Sequence, residues 1–185
     1  LMSFYTYVLI SSLIIIGIIA WIEFYALISK IYKKKNYKNI ALRFILKAIS
    51  LLYLSYVIFI IILSKLNLPD FYILILYTIL ISIMTDIGGL AAGKIFKGKK
   101  LTKISPKKTI SGSIGSFVFS LFLIPFFFQF LNWYVNTSLF NIVLITLSIS
   151  FISQLGDLFI SLMKRKANVK NTSDLLPGHG GVLDR

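Results

Sequence analysis

The last 25 residues of the chain combine basic side chains, glycines and the only histidine directly behind an apolar run. The segment Ser161–Arg185 contains five basic residues, two aspartates and the turn sequence Pro-Gly-His-Gly-Gly. Basic side chains and glycine backbone amides bind phosphate oxygens, and carboxylates bind divalent cations. These residue types, placed at a bilayer surface, indicate a site for a phosphorylated ligand.

The elements that must position this segment are helices that cross a membrane. The chain is 57% hydrophobic and 15% aromatic, which is too apolar for a soluble globular domain. Runs of about 20 apolar residues cross about 30 Å of hydrocarbon as helices. Five such runs are Tyr7–Ile31, Phe44–Leu63, Phe71–Ala92, Ser113–Leu131 and Leu139–Met163. Because the runs are continuous rather than alternating, the sequence predicts an all-α, polytopic transmembrane bundle with basic cytoplasmic loops.

The distribution of charge predicts the orientation of this bundle. The formal charge is +14, and nineteen of the twenty basic residues lie in the first and third connections or after the fifth run. This bias follows the positive-inside rule, which places these segments in the cytoplasm and their charge against anionic membrane lipids. The charge is therefore assigned to topology and lipid contact, and nucleic acid is excluded as a partner.

Acidic side chains inside the apolar runs mark polar positions, because an ionisable group in hydrocarbon is costly. Glu23, Asp86 and Asp157 each lie toward the end of their run that faces the basic connections. We expect them to form a polar shelf at the inner leaflet. Asp157, Ser161 and Lys164 are spaced at i, i+4 and i+7, so one helix face carries an acid, a hydroxyl and a cation. A structural ion pair between Asp157 and Lys164 is the alternative interpretation.

The third apolar run and the connection after it contain further small and polar residues. The small residues between Gly88 and Gly93 have the spacing of helices that approach each other closely. A nucleotide-binding P-loop is rejected here, since Ile95 stands where a magnesium-binding Ser or Thr is required. Either Ser111 or Thr109 is predicted to cap the fourth helix, whose N-terminal end attracts anions.

The polar residues near the C-terminus form one long pattern, and two shorter blocks precede it. The pattern comprises Ser161, Met163, Lys164, Arg165, Lys170, Ser173, Leu176, Pro177, His179, Gly180, Gly181, Val182, Asp184 and Arg185. The shorter blocks are Gly156-Asp157-Leu158 and Ile104–Thr109. Together they resemble the signature of the phosphatidate cytidylyltransferase family, also called CDP-diacylglycerol synthase. Asp86 with its small-residue run and, more weakly, Glu23-Phe24-Tyr25 extend the resemblance over nearly the whole chain.

The resemblance implies an enzyme of phospholipid biosynthesis, in which CTP and phosphatidic acid give CDP-diacylglycerol and pyrophosphate. It implies Mg²⁺ as cofactor, leaves a second cation open and is compatible with a homodimer. The implied location is the cytoplasmic face of a bacterial inner (plasma) membrane. Because the chain starts at Leu1 and stops after an Asp-Arg pair, we expect residues 1–185 to be one integral-membrane domain truncated at both ends.

The resemblance also implies a role for each matched polar residue. The implied metal ligands are Asp157, Asn171 and Asp184. The implied catalytic residues are Asp157, Lys164, Arg165, Lys170, His179 and Asp184, with the cations holding phosphates. The implied substrate-binding residues are Ser105, Lys107, Lys108, Thr109, Ser161, Gly178, Gly180, Gly181 and Arg185. Asp86 is retained as a further polar residue inside the membrane.

A departure from the family pattern at Asn171 keeps an alternative to the enzyme open. Asn171 stands where members usually carry Asp. An amide oxygen can also ligate magnesium, but it brings no negative charge. The protein is then either the implied enzyme or a catalytically degenerate lipid-binding membrane protein. An ion-coupled transporter is the other alternative, although it predicts acids nearer the middle of the bilayer than those found here.

Overall fold

The computed structural model describes residues 2–33, 36–67, 71–102, 105, 108–135, 138–173, 175 and 180–184. Six α-helices account for most of this part of the chain: α1 Met2–Ile31, α2 Tyr37–Asn67, α3 Phe71–Phe96, α4 Ile110–Leu121, α5 Ile124–Val135 and α6 Leu139–Lys166. A short 3-10 helix follows at Val182–Asp184. The described ranges contain no strand, and the prediction of an all-α fold is confirmed.

Four of the helices, α1, α2, α3 and α6, are long and apolar enough to cross a membrane. They contain 30, 31, 26 and 28 residues. At 1.5 Å per residue these helices are about 40–47 Å long, which exceeds the hydrocarbon thickness of about 30 Å. Their ends therefore extend into the headgroup layers. The second helix starts at Tyr37, earlier than the predicted Phe44. The chain is a multi-pass integral membrane protein.

The fourth predicted span, Ser113–Leu131, is not one straight helix. The structure divides it into α4 and α5, which are bent by 49°. Pro125 has no N–H, and its ring would clash with the carbonyl of Leu121, where α4 ends. At the break, the amides of Phe122 and Leu123 donate at 3.3 Å to the carbonyls three residues earlier, instead of four as in an α-helix. This pair of helices is a broken span or a re-entrant segment.

The chain forms two compact units, Leu1–Pro69 with Leu162–Arg185, and Asp70–Ser161. We call them the terminal unit and the central unit. The last turn of α6, with the segment that follows it, belongs to the terminal unit. The prediction that residues 1–185 are a single domain is not tested by this division and stays a prediction.

In the central unit, α3 and α4 pack closely through small residues. A Cβ atom at Gly88 would lie 2.6 Å from the carbonyl oxygen of Gly115, and a Cβ atom at Gly115 would overlap the side chain of Ala92. The Ser116 hydroxyl donates a hydrogen bond of 2.7 Å to the Thr85 carbonyl across this contact. The close helix approach predicted from the small residues of α3 is confirmed.

Buried hydroxyl pairs join α3 to α6. The Tyr77 hydroxyl and Thr146 Oγ1 are 2.6 Å apart, and Thr85 Oγ1 donates to Ser150 Oγ at 2.8 Å. Within a membrane there is little hydrophobic drive between helices, so such bonds and close packing hold the helices together. They fix the helix that carries Asp157.

In the terminal unit, α1 packs against α2 and against the end of α6. Leu27, Ile28 and Met163 form the buried apolar cluster of this unit. Glu23, one turn earlier on α1, is also buried, with only 3% of its surface exposed. The apolar contacts therefore bring a buried carboxylate to the level where α6 ends and the C-terminal segment begins.

Candidate functional site

Several predicted site residues that the structure describes belong to two clusters of charged and polar side chains, one in each unit. The central cluster contains Asp86, Lys108 and Asp157. The tail cluster is formed by Glu23, Lys164, Thr172, Gly181 and Asp184. We describe each cluster within its own unit.

The central cluster is built on an ion pair between Lys108 Nζ and Asp157 Oδ2. The Asp157 side chain is 52% exposed and that of Lys108 is 27% exposed. Asp86 on α3 lies near enough to both groups to interact with them electrostatically. Asp157 therefore pairs with Lys108. The alternative interpretation of the spacing, a pair between Asp157 and Lys164, is wrong. An exposed carboxylate and a half-buried ammonium are thus presented together.

The loop between α3 and α4 holds Lys108 at the start of α4. Backbone hydrogen bonds from Leu101 N to Lys108 O (2.8 Å) and from Ile110 N to Lys99 O (2.9 Å) pair the two arms of this loop. Thr109 Oγ1 accepts from Gly112 N at 3.0 Å, which makes Thr109 the N-cap of α4. Capping by Thr109, one of the two predicted residues, is confirmed. The amides of Ile110 and Gly112 are thus used within the protein, and what this helix end offers an anion is the partial positive charge of the helix dipole.

Ser105 adjoins Lys108 in the same loop. Its carbonyl accepts a hydrogen bond of 3.1 Å from Lys108 N, and its own amide donates to Thr102 Oγ1 at 3.2 Å. Three of the predicted substrate-binding residues, Ser105, Lys108 and Thr109, therefore lie together at the beginning of α4. Their role in binding substrate stays a prediction.

Asp157 and Asp86 are the residues of the central cluster that fit Mg²⁺. This ion prefers oxygen ligands and is usually held by one or two carboxylates, with water and substrate phosphates completing its shell. The part of the chain that the structure describes contains no group of three His, Cys, Asp or Glu side chains that could hold a metal ion. A metal at Asp157 would therefore need phosphate or water oxygens, and the exposure of this carboxylate leaves room for them.

In the tail cluster, Asp184 accepts hydrogen bonds on both of its carboxylate oxygens. Oδ1 accepts from Lys164 Nζ at 2.5 Å. Oδ2 accepts from Thr172 N at 2.8 Å, Thr172 Oγ1 at 3.0 Å and Gly181 N at 2.9 Å. Burial alone would raise the pKa of Asp184, but the Lys164 ammonium and the bonds from Gly181 and Thr172 lower that pKa from 3.8 to about 2. Asp184 is therefore ionised at neutral pH and fixes the segment after α6 to the 3-10 helix.

Glu23 provides the second acceptor of the tail cluster. Its oxygens accept from Thr172 Oγ1 (2.8 Å), Ser173 Oγ (2.7 Å), Val182 N (2.9 Å) and Leu183 N (2.9 Å). The Thr172 hydroxyl is within reach of both carboxylates and shares its one proton between them. A single buried side chain of α1 thus anchors two separate parts of the C-terminal segment.

The glycines of the tail permit this close approach. A Cβ atom at Gly181 would overlap Thr172 Oγ1 and both carboxylate oxygens of Glu23. Gly180 has φ of +88°, a backbone conformation that favours glycine. The amide of Gly181 donates to Asp184, so this donor is used within the tail. Binding of substrate phosphate by Gly180 and Gly181 stays a prediction.

The remaining predicted residues are distributed as follows. Arg165, Lys170 and Asn171 are exposed, and Ser161 is half-buried. Lys107, Gly178, His179 and Arg185 lie outside the described residues. The metal set of Asp157, Asn171 and Asp184 draws on both units and stays a prediction, and a metal on Asp184 Oδ1 would have to replace the Lys164 ammonium.

Two residues that organise the tail were not among the predicted site residues, Glu23 and Thr172. Glu23 was recognised only as part of the polar shelf and of a weak block in the family resemblance. A stronger signal was present, because an acid inside an apolar run needs hydrogen-bond donors, and the tail of this chain supplies them. Thr172 gives no comparable signal in the sequence, since its partners lie on α1 and in the 3-10 helix.

Comparison with known proteins confirms the resemblance seen in the C-terminal pattern. A phosphatidate cytidylyltransferase of Rickettsia conorii is 42% identical over 107 residues, which cover 54% of this chain and 46% of the relative. Those of Staphylococcus haemolyticus and Staphylococcus aureus are 41% and 42% identical over 112 residues, covering 60% of this chain and 42% of each relative. The chain therefore spans about half the length of the curated relatives it matches. The model of the Cytidylyltransferase family matches residues 1–185, both clusters included, and the chain belongs to that family.

Proposed function

We propose that the protein transfers the cytidylyl group of CTP to phosphatidic acid, giving CDP-diacylglycerol and pyrophosphate. The observation that carries this proposal is the Lys108–Asp157 ion pair beside the capped N-terminus of α4. A cation, an exposed carboxylate and the positive end of a helix dipole are features that bind a triphosphate together with its metal. The relatives that are named phosphatidate cytidylyltransferase support the same pair of substrates.

The reaction forms one bond and breaks one bond. An ionised phosphate oxygen of phosphatidic acid attacks the α-phosphorus of CTP, and the bond to the β-phosphate breaks with its electrons leaving on pyrophosphate. The nucleophile carries no proton that has to be removed, so no general base is required. Catalysis then consists of neutralising the triphosphate charge and positioning the two phosphates in line.

The residues of the central cluster each have a task in this scheme. Lys108 leaves Asp157 to bind a phosphate of CTP, and Asp157 with Asp86 would hold Mg²⁺. When bound, Mg²⁺ supplies positive charge to the departing pyrophosphate. The exposed cations Arg165 and Lys170, which belong to the terminal unit, keep the phosphate-binding role that the family resemblance implies. The amides at the start of α4 add partial positive charge to the same ligand.

We place this reaction at the cytoplasmic face of a bacterial plasma membrane. The bias of the basic residues supports this orientation, and the relatives are bacterial proteins. The homodimer, the second cation and the exclusion of nucleic acid stay predictions.

Incorporation of radiolabelled CTP into lipid tests the proposal. The full-length protein is reconstituted in vesicles containing phosphatidic acid, with and without Mg²⁺. We expect Asp157→Asn and Lys108→Gln each to lower incorporation about 100-fold or more. Lys99→Gln is the matched control, because it removes one exposed lysine from the same loop, and it should leave the rate within about threefold of the unchanged protein.

The outcomes separate the three classes of function. Normal turnover by Asp157→Asn would refute the assignment of this carboxylate. Binding of phosphatidic acid without incorporation by the unchanged protein supports the degenerate lipid-binding alternative. Ion-driven uptake into the vesicles, with neither of these activities, supports a transporter.

A further inference from the structure

A groove of about 560 Å³ lies between α1 and α2 in the terminal unit. It is lined by Trp21, Tyr25, Ile40, Arg43, Phe44, Lys47, Ala48 and Leu51. Trp21 and Tyr25 lie two residues to either side of Glu23, so they occupy the face of α1 opposite to the anchor of the tail. The groove is therefore distinct from the tail cluster, and the proposed reaction does not use it. The sequence assigned its two basic residues only to general contact with anionic membrane lipids, not to a discrete site.

Two cations dominate the polar part of the groove. Arg43 and Lys47 are one turn apart on α2, and both are half-buried. Lys47 Nζ lies 3.2 Å from the centroid of the Tyr25 ring, and Trp21 Nε1 donates to the Lys47 carbonyl at 3.5 Å. Across the described ranges, neither cation forms an ion pair with an acid. Two partly desolvated positive charges without a counter-ion create a site for an anion.

The depth of the groove matches that of lipid headgroups. Helix α2 has 31 residues and is about 46 Å long, so about 8 Å projects beyond the hydrocarbon at each end. Arg43 lies six residues after Tyr37, the first residue of α2, and is thus about 9 Å from the helix end. Trp and Tyr side chains are enriched at this boundary. The ammonium of Lys47, one turn deeper, reaches the same level along its flexible side chain.

The rest of the groove is apolar. Phe44, Ala48 and Leu51 continue along α2 toward the middle of the membrane. A free inorganic anion would leave this surface unused, whereas a lipid acyl chain would cover it. A zwitterionic lipid would bring its own positive charge close to the two cations, so the charge of the groove favours an anionic lipid.

We propose that this groove binds one anionic glycerophospholipid, with its phosphate between Arg43 and Lys47 and an acyl chain along Phe44, Ala48 and Leu51. The site belongs to the terminal unit alone and requires neither CTP nor Mg²⁺. It therefore stands or falls independently of the proposed reaction.

Trp21 is a built-in reporter for this lipid. The chain contains two tryptophans, so Trp133→Phe, together with replacement of any tryptophan beyond residues 1–185, leaves Trp21 as the only one. This protein is reconstituted in phosphatidylcholine vesicles that contain an increasing fraction of one brominated lipid. That lipid is either phosphatidylglycerol or phosphatidylcholine, with bromine on its acyl chains in both cases. Bromine quenches tryptophan emission at short range, so quenching measures occupancy of the groove.

We expect half-maximal quenching at a mole fraction of brominated phosphatidylglycerol about tenfold or more below that of brominated phosphatidylcholine. Each cation near the surface contributes about a fivefold preference for anionic lipid. Arg43→Gln combined with Lys47→Gln should reduce the ratio to within about twofold of one. Lys38→Gln is the matched control, because Lys38 is an exposed lysine at the same end of α2 outside the groove, and it should preserve the ratio.

Three results would overturn the proposal. The first is equal quenching by the two brominated lipids in the protein that retains Arg43 and Lys47. The second is a loss of preference with Lys38→Gln as large as that with Arg43→Gln, because a diffuse surface charge would then explain the effect. The third is displacement of the lipid by inorganic phosphate. If the double variant fails to fold, Arg43→Gln alone decides the test, with an expected loss of about fivefold.

Discussion

Replacing Glu23 by Gln should detach the C-terminal segment from α1 while leaving the helices in place. The substitution keeps the size of the side chain but turns one carboxylate oxygen into an NH₂ group, which cannot accept a hydrogen bond. Because Glu23 is only 3% exposed, water cannot replace the lost acceptor. The result is a local opening of the tail rather than unfolding of the protein.

The magnitude follows from the partners of each oxygen. Oε1 accepts from Ser173 Oγ and Val182 N, and Oε2 accepts from Thr172 Oγ1 and Leu183 N. If Oε1 is replaced, the Val182 amide and the Ser173 hydroxyl lose their acceptor. If Oε2 is replaced, the Leu183 amide loses its acceptor, while the Thr172 hydroxyl keeps Asp184 Oδ2. Bonds to a charged group contribute about 1.5–3 kcal/mol each, and the remaining bonds lose the charge, so the variant should destabilise the closed tail by about 3 kcal/mol. The equilibrium constant for opening of the tail should therefore increase about 100-fold.

Hydrogen–deuterium exchange of the segment containing Val182–Asp184 measures this opening. We expect exchange to accelerate about 100-fold in Glu23→Gln, with the amides of α3 unchanged. Ser29→Ala on the same helix is the control, since its hydroxyl bonds only to the Tyr25 carbonyl at 2.9 Å, and it should change exchange by less than about threefold. Protection of Val182 and Leu183 within about threefold of the unchanged protein would refute the anchoring role of Glu23.

Three further predictions concern the tail and the central unit. The pKa of Asp184 is lowered from 3.8 to about 2, so the ionised carboxylate stabilises the closed tail by about 2 kcal/mol above about pH 4. This stabilisation is lost as the pH falls toward about 2. Asp184→Asn should abolish the resulting pH dependence of hydrogen exchange in the tail. Gly115→Ala should destabilise the central unit by about 1–3 kcal/mol because its Cβ would overlap Ala92, whereas Gly156→Ala, with no atom within 4 Å of the added Cβ, should be neutral or stabilising; equal melting temperatures would contradict this contrast. Thr109→Ala removes the N-cap of α4 and should cost about 1 kcal/mol in thermal unfolding, so an unchanged melting temperature would argue against the cap.

The sequence predicted the helices because bilayer thickness imposes a length on every spanning segment. Four of the five predicted spans correspond to single long helices. The exception, α4 and α5, shows how composition can mislead, since the apolar run continues without interruption through the break. Pro125 was the local signal for that break, and the chemistry of its ring outweighs the continuity of the hydrophobic pattern.

The sequence by itself also determined the family, because the order and spacing of the C-terminal residues are specific and the family model covers the whole chain. It did not determine which charged groups pair. Asp157 bonds to Lys108 and Lys164 bonds to Asp184, although spacing along α6 left a pair between Asp157 and Lys164 open as an alternative. Only the tertiary structure decided these partners and the role of Glu23, whose bonds to the tail join residues 149 to 160 positions apart. The physical reason is that hydropathy and helix spacing are local properties, whereas a buried carboxylate takes its donors from whichever segments the packing of the helices brings within about 3 Å.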